Sequence, residues 1–491
     1  MIELSNNKRF FLNIFSIVLI LLGFSMAPPL FVALNFAEDA AIRPLGMGCA
    51  ICILTGITIR KLFDMASTYV RPRINYITTI FTWLIVIAIT TVVYFYGRAE
   101  FTWIDSFFEA TASLTTTGMG NLDVNVFPYS FQLWRSMLNW FGGVGMILIA
   151  VSCLSNWEFS GHSLVSVEVP GPEFLKSTVT FKNTYKHIIF IYLGLTAVHF
   201  VLLVIAGMDP FTSLLTALSN ISTSGMQHIS NGVITDLSTP LKVIITIFAF
   251  LGSVNVSFFI LIIMRKFRMI WRRTEVSLYT WRLFATSLFI GIMISVVNHE
   301  SFSESFGEAL MQTVSFLSTS GYIVTDCHTW PLICQFFILL QMFFGACAVS
   351  TGGGMKIARV EIAFKTVSFG LFRHIHPRAV RPVKFNRDLL KPDQLVSANI
   401  FIILFMAIYI LGALVLSLDN KSESIFDALN YSQAMLTNTG TSIAELHAPG
   451  LATHFSPLSK IVMAFEMLAG RLEIYPVLML FTRSLWKADN L

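Results

Sequence analysis

Apolar positions along this chain fall into long blocks, not the 3.6-residue rhythm of a helix half-buried in a soluble core. A helix needs about 20 apolar residues to cross a ~30 Å hydrocarbon layer. Runs of that kind recur ten times, at 10–34, 43–61, 76–97, 131–153, 187–206, 241–264, 281–298, 332–350, 396–417 and 458–483. They predict ten transmembrane helices. The first follows Lys8 and Arg9 as a secretory signal would. It is long, runs on through Pro28-Pro29 and has further spans behind it, so it reads as a retained span.

Four of the connections carry a further apolar stretch of 12–15 residues that closes on small hydroxyl residues and a glycine. Such a stretch is too short to span, and irregular backbone at membrane depth is tolerated only where protein buries it or it lines a water-filled cavity. Each therefore reads as a re-entrant half-helix followed by a loop. Aligned on the glycine, the four endings are Leu114-Thr115-Thr116-Thr117-Gly118, Ile221-Ser222-Thr223-Ser224-Gly225, Leu317-Ser318-Thr319-Ser320-Gly321 and Leu436-Thr437-Asn438-Thr439-Gly440. The glycines stand 107, 96 and 119 residues apart, so span, short helix, glycine strand and span form a unit repeated four times. Twelve residues before each glycine, Ser106, Ser213, Ala309 and Ala428 open the short helices, with Asp105, Glu308 and Asp427 at three of the N-termini. The units divide the chain into two leading helices at 1–74 and pore repeats at 75–160, 161–273, 274–392 and 393–491. The fold class is thus an all-α polytopic membrane protein with a pseudo-fourfold arrangement around an ion path.

Composition agrees with this pattern. Hydrophobic residues make up 55% of the 491 and charged residues 12%, about half the ~25% of ordinary globular chains; mean hydropathy is +0.71. A disordered chain, a disulfide scaffold and a cytosolic enzyme are excluded. The net charge is only +5, but 25 of the 33 basic residues fall at the termini or in connections after even-numbered spans. The positive-inside rule then puts both termini in the cytoplasm. Directly after a span, the basic run Arg265–Arg273 reads as a topological anchor, not a nucleic-acid patch. Cys49 and Cys52 make a CxxC inside an apolar run with no histidine nearby, which reads as small-residue packing. Cys327 and Cys334 are close enough in sequence to pair, and the sequence does not decide whether they do.

The chemistry of the repeat follows from what a bare cation needs. Hard cations take roughly six to eight oxygen ligands in place of water, and rings of backbone carbonyls supply them in cation filters. Glycine admits the backbone conformations that aim successive carbonyls inward, Thr and Ser hydroxyls can hold neighbouring strands, and each short helix turns its negative C-terminus toward the path. The expected K⁺ ligands are Thr116, Thr117 and Gly118; Thr223, Ser224 and Gly225; Thr319, Ser320 and Gly321; and Asn438, Thr439 and Gly440.

These residues and several others carry a family likeness. Phe108-Glu109-Ala110, Leu133-Trp134-Arg135-Ser136, Trp140-Phe141-Gly142-Gly143-Val144-Gly145, Glu168-Val169-Pro170-Gly171-Pro172, Ser350-Thr351-Gly352-Gly353-Gly354-Met355-Lys356, His376-Pro377-Arg378-Ala379 and Gly470-Arg471-Leu472-Glu473-Ile474-Tyr475-Pro476 are the motifs concerned. With them the whole chain resembles the Trk/Ktr/HKT superfamily of potassium transporters, most of all the membrane subunit of bacterial Trk systems. The resemblance implies potassium uptake across the bacterial cytoplasmic membrane, a homodimer, a nucleotide-binding cytoplasmic regulatory subunit and no bound cofactor. It also implies that the segment around Gly352, Gly353 and Gly354 is an intramembrane loop that blocks the pore, and that Arg471 faces the ion path below the filter. The fourth strand departs from the pattern by continuing into Thr441 and Ser442.

Read from the residues alone, three consecutive glycines cannot hold a helix, and the apolar stretch Leu332–Gly370 must break there. A phosphate-binding loop is excluded, because Met355 separates the glycines from Lys356 and no Ser or Thr follows it. Lys356 either gates or snorkels to the inner surface. Arg471 sits in the middle of the last predicted span, about 140° to 160° around the helix from Glu466 and Glu473. No simple intrahelical ion pair is expected; the glutamates should bond neighbouring helices. Gly142, Gly143 and Gly145 read as close helix packing. A sodium-permeable or ion-coupled secondary cation transporter is the rival function. A membrane enzyme has no metal or nucleophile constellation in the spans to support it.

Overall fold

The computed structural model describes residues 6–63, 72–97, 101–120, 127–155, 181–226, 237–265, 274–325, 327–378, 383–385, 388–390, 392–419, 424–441 and 455–483. Apart from a hairpin of two-residue strands, Lys384–Phe385 with Asp388–Leu389, and a single 3₁₀ turn, these residues build helices and their connections. In chain order the helices are α1 (Asn6–Asn35), α2 (Asp39–Leu62), α3 (Pro72–Gly97), α4 (Trp103–Leu114), α5 (Tyr129–Ser155), α6 (Phe181–Ile205), α7 (Pro210–Ile221), α8 (Thr239–Ser253), α9 (Val256–Ile263), α10 (Thr274–Asn298), α11 (Phe302–Leu317), α12 (Leu332–Phe344), α13 (Ile357–Ile375), α14 (Pro392–Leu416), α15 (Ile425–Leu436), α16 (Pro457–Arg471) and α17 (Tyr475–Met479).

Among the described residues, α1, α2, α3, α6, α10 and α14 are each long and apolar enough to cross a membrane, and α8 with α9 forms a seventh span bent by 95°. Three of the expected spans are not continuous helices. The sixth breaks at extended Val254, where the Asn255 side chain caps α9 by accepting from the Ser257 N–H at 2.9 Å. The eighth stops at Phe344, not residue 350, because Gly345 takes φ +65°. The tenth stops at Arg471: Glu473 and Ile474 have positive φ, and the chain restarts at Tyr475-Pro476. Arg471 is therefore the last residue of its helix rather than mid-span, and Glu473 does not share that helix.

The short helices α4, α7, α11 and α15 begin three, three, seven and three residues before the expected openings. Caps fix the starts. Thr102 with Asp105 and Ser424 with Asp427 form capping boxes, and Asp209 accepts from the N–H groups of Phe211 and Thr212. Glu308 is no N-terminal residue, since α11 starts at Phe302; its carboxylate instead accepts from Thr325 Oγ1 at 3.1 Å.

The leading helices pack through small residues. A Cβ on Gly23 of α1 would lie 3.0 Å from the Cys49 carbonyl, and one on Gly56 of α2 2.9 Å from that of Ser16. Cys49 and Cys52 are free thiols, Cys52 inside this packed core. Cys327 and Cys334 are buried thiols that form no disulfide with each other. Around the leading pair, Trp134 of α5, Phe401 and Phe405 of α14 and Leu468 of α16 join one apolar core.

Candidate functional site

Each short helix hands its last carbonyls to the strand that follows. The N–H groups of Thr117, Ser224, Ser320 and Thr439 donate to Ala112, Ser219, Ser315 and Ala434 at 2.9–3.1 Å. One residue earlier, Thr116, Thr223, Thr319 and Asn438 donate to Ser113, Asn220, Phe316 and Met435. Strand N–H groups are thus committed to the helix behind them, which leaves the carbonyls to face the other way.

The strands share a conformation that most residues avoid. Thr116, Thr223, Thr319 and Asn438 have φ of +56°, +54°, +58° and +55°, and Gly118, Gly225, Gly321 and Gly440 have φ of +81°, +56°, +69° and +73°. Positive φ is uncommon outside glycine and a genuine outlier for a β-branched residue. Such positions cost about 1–3 kcal/mol each and cluster at functional sites.

The glycines close a circuit. A Cβ on Gly118 would strike the carbonyl oxygen of Ser224; on Gly225, that of Ser320; on Gly321, that of Thr439; and on Gly440, that of Thr117. In every case the oxygen belongs to the residue just before the next strand's glycine, and the fourth strand returns to the first. All twelve sequence-expected filter residues therefore converge in one place, and the hydroxyl and amide members are at most 1% exposed.

The hydroxyls mostly bond within their own strands: Thr115 with Thr117 at 2.8 Å, Ser318 with Ser320 at 2.9 Å and Thr437 with Thr439 at 2.8 Å. Fewer of them tie neighbouring strands, as the sequence allowed. Cross-strand bonds come from the departures in the fourth strand. Asn438 Nδ2 donates to Thr117 Oγ1 at 3.0 Å and to the Met467 carbonyl at 2.9 Å, and Thr441 Oγ1 donates to the Gly321 carbonyl at 2.7 Å.

Second-span glycines let these helices sit against the short ones. A Cβ on Gly142 would strike the Leu114 carbonyl, one on Gly470 that of Leu436, and one on Gly252 would lie 2.9 Å from that of Ile221. Gly143 is equally tight, at 2.9 Å from Ser222 Cβ, but Gly145 faces open space and does not belong to this packing. Behind the first strand, Glu109 of α4 and Arg135 of α5 form an ion pair at 2.6 Å with both side chains at most 2% exposed. Asn139 accepts from Ser224 Oγ at 2.8 Å. Sequence reasoning gave these residues no role; a charged pair in apolar surroundings was the available signal.

Beneath the ring, residues 345–356 leave the helical path between α12 and α13 and stay buried except for half-buried Val349. Their backbone partners come from several units. Cys347 N–H donates to Ser253 at 3.1 Å, Gly354 N–H to Thr437 at 3.1 Å, and Gly353 N–H to Thr319 Oγ1 at 2.7 Å; Val349 accepts from Val256 N–H at 3.2 Å. Thr351 Oγ1 reaches the carbonyls of Ile221 and Gly252 at 3.1 and 2.9 Å. No room exists for side chains on the triplet: a Cβ would strike Ala346 from Gly352, the Thr437 carbonyl from Gly353, and would lie 2.6 Å from Gly345 Cα from Gly354. The break is longer than the three glycines implied.

Three cations gather here. Arg471, 2% exposed, donates to the carbonyls of Thr351 at 2.6 Å and Gly142 at 3.0 Å. Lys356, 6% exposed, donates to the Gly352 carbonyl, so it does not snorkel to the surface. Arg359 pairs with Glu473; both it and Lys356 are too buried to serve as loop anchors. Glu466 accepts from Ser432 Oγ on α15, so both glutamates bond neighbouring helices as expected. Glu275, which sequence reasoning did not single out, accepts from Ala348 N–H at 2.5 Å and from Asn255 Nδ2 at 3.2 Å, tying the segment to the bend of the sixth span.

The motif at Glu168–Pro172, Ala379, Ser442, Asp326, Lys391 and the loop from Lys266 to Arg273 lie outside the described residues. Among the described residues, no three of His, Cys, Asp and Glu gather closely enough to hold a metal ion.

The family described as "TrkH: Cation transport protein" matches residues 46–489. The Trk system potassium uptake protein TrkH of Escherichia coli K12 is 27% identical over 486 residues, covering 97% of this chain and 98% of that protein. Its counterpart TrkG from the same organism is 27% identical over 483 residues, with coverage of 95% and 96%. The crystal structure of the potassium transporter TrkH from Vibrio parahaemolyticus superposes with a TM-score of 0.86 at 24% identity, covering 98% of this chain and all of that one. At that identity the likeness is one of fold.

Proposed function

Because this chain belongs to the TrkH family of cation transport proteins, we propose that it carries potassium into a bacterial cell as a multi-pass protein of the cytoplasmic membrane. Members of the family are transporters, not enzymes, and K⁺ is the substrate rather than a resident cofactor. The relatives' names, Trk system potassium uptake proteins, support that substrate.

One observation carries the selectivity reading: the circuit in which each glycine lies against the carbonyl preceding the next strand's glycine. Carbonyls so placed form the rings that replace an ion's water. The filter is Thr116, Thr117, Gly118, Thr223, Ser224, Gly225, Thr319, Ser320, Gly321, Asn438, Thr439 and Gly440, contributed by four pore repeats that follow two leading spans. The N–H bonds back to each short helix and the intrastrand hydroxyl bonds hold the ring at one size, so a smaller ion gains less from its oxygens.

Gly352, Gly353, Gly354, Lys356 and Arg471 form the gate. The buried segment takes backbone partners from the second, third and fourth units, and Arg471 reaches Gly142 of the first, as a plug under the ring would. A guanidinium and an ammonium on that path repel a permeating cation. The opening signal is a nucleotide-binding cytoplasmic subunit that engages the basic stretch after Lys356; the protein works as a homodimer with both termini in the cytoplasm.

Ion flux into liposomes from purified protein tests the reading. K⁺ uptake that tenfold excess Na⁺ barely reduces is the expected result. Equal Na⁺ and K⁺ flux would establish the sodium-permeable alternative, and flux that requires an imposed H⁺ or Na⁺ gradient would establish the ion-coupled one.

A further inference from the structure

Away from the ring, α10, α12 and α13 enclose a side cavity of about 290 Å³. Its walls are mostly apolar, with Leu278, Phe337, Leu340, Phe344 and Phe364 among them, yet one guanidinium lines it: Arg282. Arg282 lies over the ring of Phe344. Among the described residues no carboxylate is within ion-pair reach of it. Glu361 shares the wall, but it pairs with Lys365 at 3.1 Å. A guanidinium inside a span, with an aromatic face beside it and the wall's one carboxylate already paired with a lysine, is costly unless something further anionic joins it.

We propose that this groove binds an anionic phospholipid of the inner leaflet, its phosphate on Arg282 and the start of an acyl chain along the apolar wall. The depth fits. Arg282 is eight residues into α10, about 12 Å from its start at 1.5 Å per residue, and its flexible stem covers part of that distance toward the headgroups. The rim fits too: Trp281 beside it is 68% exposed, as a tryptophan at a membrane boundary is. On α13, Phe364, Val367, Leu371 and Ile375 leave an exposed apolar stripe at helical spacing, continuous with the groove and suited to hydrocarbon. Guanidinium groups take phosphate in a bidentate manner, which an apolar lining alone would not select. The occupant would lie against Phe344 and Ile357, the residues that flank the buried segment 345–356. Assignment to the inner leaflet rests on the topology proposed above; the site itself does not.

The test is lipid-dependent thermal stability of the full-length protein in detergent, followed by size exclusion, with dioleoyl phosphatidylglycerol as the probe. Phosphatidylglycerol should raise the melting temperature by several degrees where phosphatidylcholine and inorganic phosphate do not. Arg282→Gln should lose more than half of that rise, and Arg282→Lys, which keeps the charge but not the bidentate fork, should fall between Arg282→Gln and wild type. Leu340→Trp, which fills the groove without changing charge, should lose it as well. The proposal is overturned if Arg282→Gln or Leu340→Trp shows the wild-type rise. A rise from inorganic phosphate alone would make this a free-anion site, and an equal rise from phosphatidylcholine would make it unselective; either refutes a headgroup site. Because no ion flux is measured, failure here leaves the transport reading intact, and failed flux leaves a lipid-dependent shift interpretable.

Discussion

Arg471, the last residue of α16, donates to the carbonyl oxygen of Thr351 at 2.6 Å. The bond joins the end of α16 to the buried segment between α12 and α13, residues 120 apart in sequence. A second bond to Gly142 carries the link into the first unit. The charge is therefore held under the ring by the segment it bonds.

Arg471→Ala removes the charge and both bonds. Charge-assisted bonds are worth about 1.5–3 kcal/mol each, and about 1.4 kcal/mol shifts an open–closed equilibrium tenfold. K⁺ flux in liposomes without any partner should rise about tenfold or more, and the activation a regulatory subunit adds should shrink. Size exclusion must first show a folded peak. If the folded variant conducts no more than wild type, Arg471 only packs.

Deletion of Gly352–Gly354 should act in the same direction, because it withdraws the N–H bonds to Thr319 and Thr437 and shortens the plug. Tracer ⁸⁶Rb⁺ uptake into proteoliposomes would read it. Uptake at or below the wild-type level from folded protein would place the constriction elsewhere.

Gly118→Ser puts a Cβ against the Ser224 carbonyl in a backbone at φ +81°. A left-handed L-residue costs roughly 1–2 kcal/mol, and the collision displaces an oxygen of the ring. K⁺ over Na⁺ preference should fall by about an order of magnitude while the protein still folds, measured by competition of Na⁺ with K⁺ flux. Retention of wild-type discrimination would remove Gly118 from the filter.

The buried pair Glu109–Arg135 predicts a stability pattern. Removing one partner strands a charge and typically costs about 3–5 kcal/mol. Glu109→Gln and Arg135→Gln should each lower the melting temperature markedly, and the combination Glu109→Gln with Arg135→Met should recover part of the loss. Additive losses in the double variant would show that the two side chains act separately.

Topology is testable directly. Single cysteines introduced into a cysteine-free background at Arg265–Arg273 should resist an impermeant thiol reagent in intact cells, and one at Asp326 should react. Labelling of the first group in intact cells would invert the orientation.

Much of this protein was legible in the sequence because the bilayer constrains it so strongly. Length and apolarity of the runs marked the apolar helices, since backbone in hydrocarbon must bond to itself, and six of the ten expected runs are continuous helices long enough to span among the described residues. The four glycine endings marked the strands, because that backbone conformation needs glycine wherever a neighbouring carbonyl takes the place of a Cβ. What the linear pattern could not hold was who stands next to whom. Hydropathy cannot see that the sixth, eighth and tenth spans break, because apolar composition persists through Val254, Gly345 and Leu472 while backbone partners are supplied from other units. Nor could spacing reveal that Arg471 ends its helix on the Thr351 carbonyl, that Lys356 turns inward to Gly352, or that Glu275 holds Ala348. Arg471 and Glu275 depend on desolvated charges finding oxygen or N–H partners about 70 to 330 residues away, and Lys356 meets Gly352, four residues back, only because the segment between them leaves the helical path; the packed tertiary structure decides each.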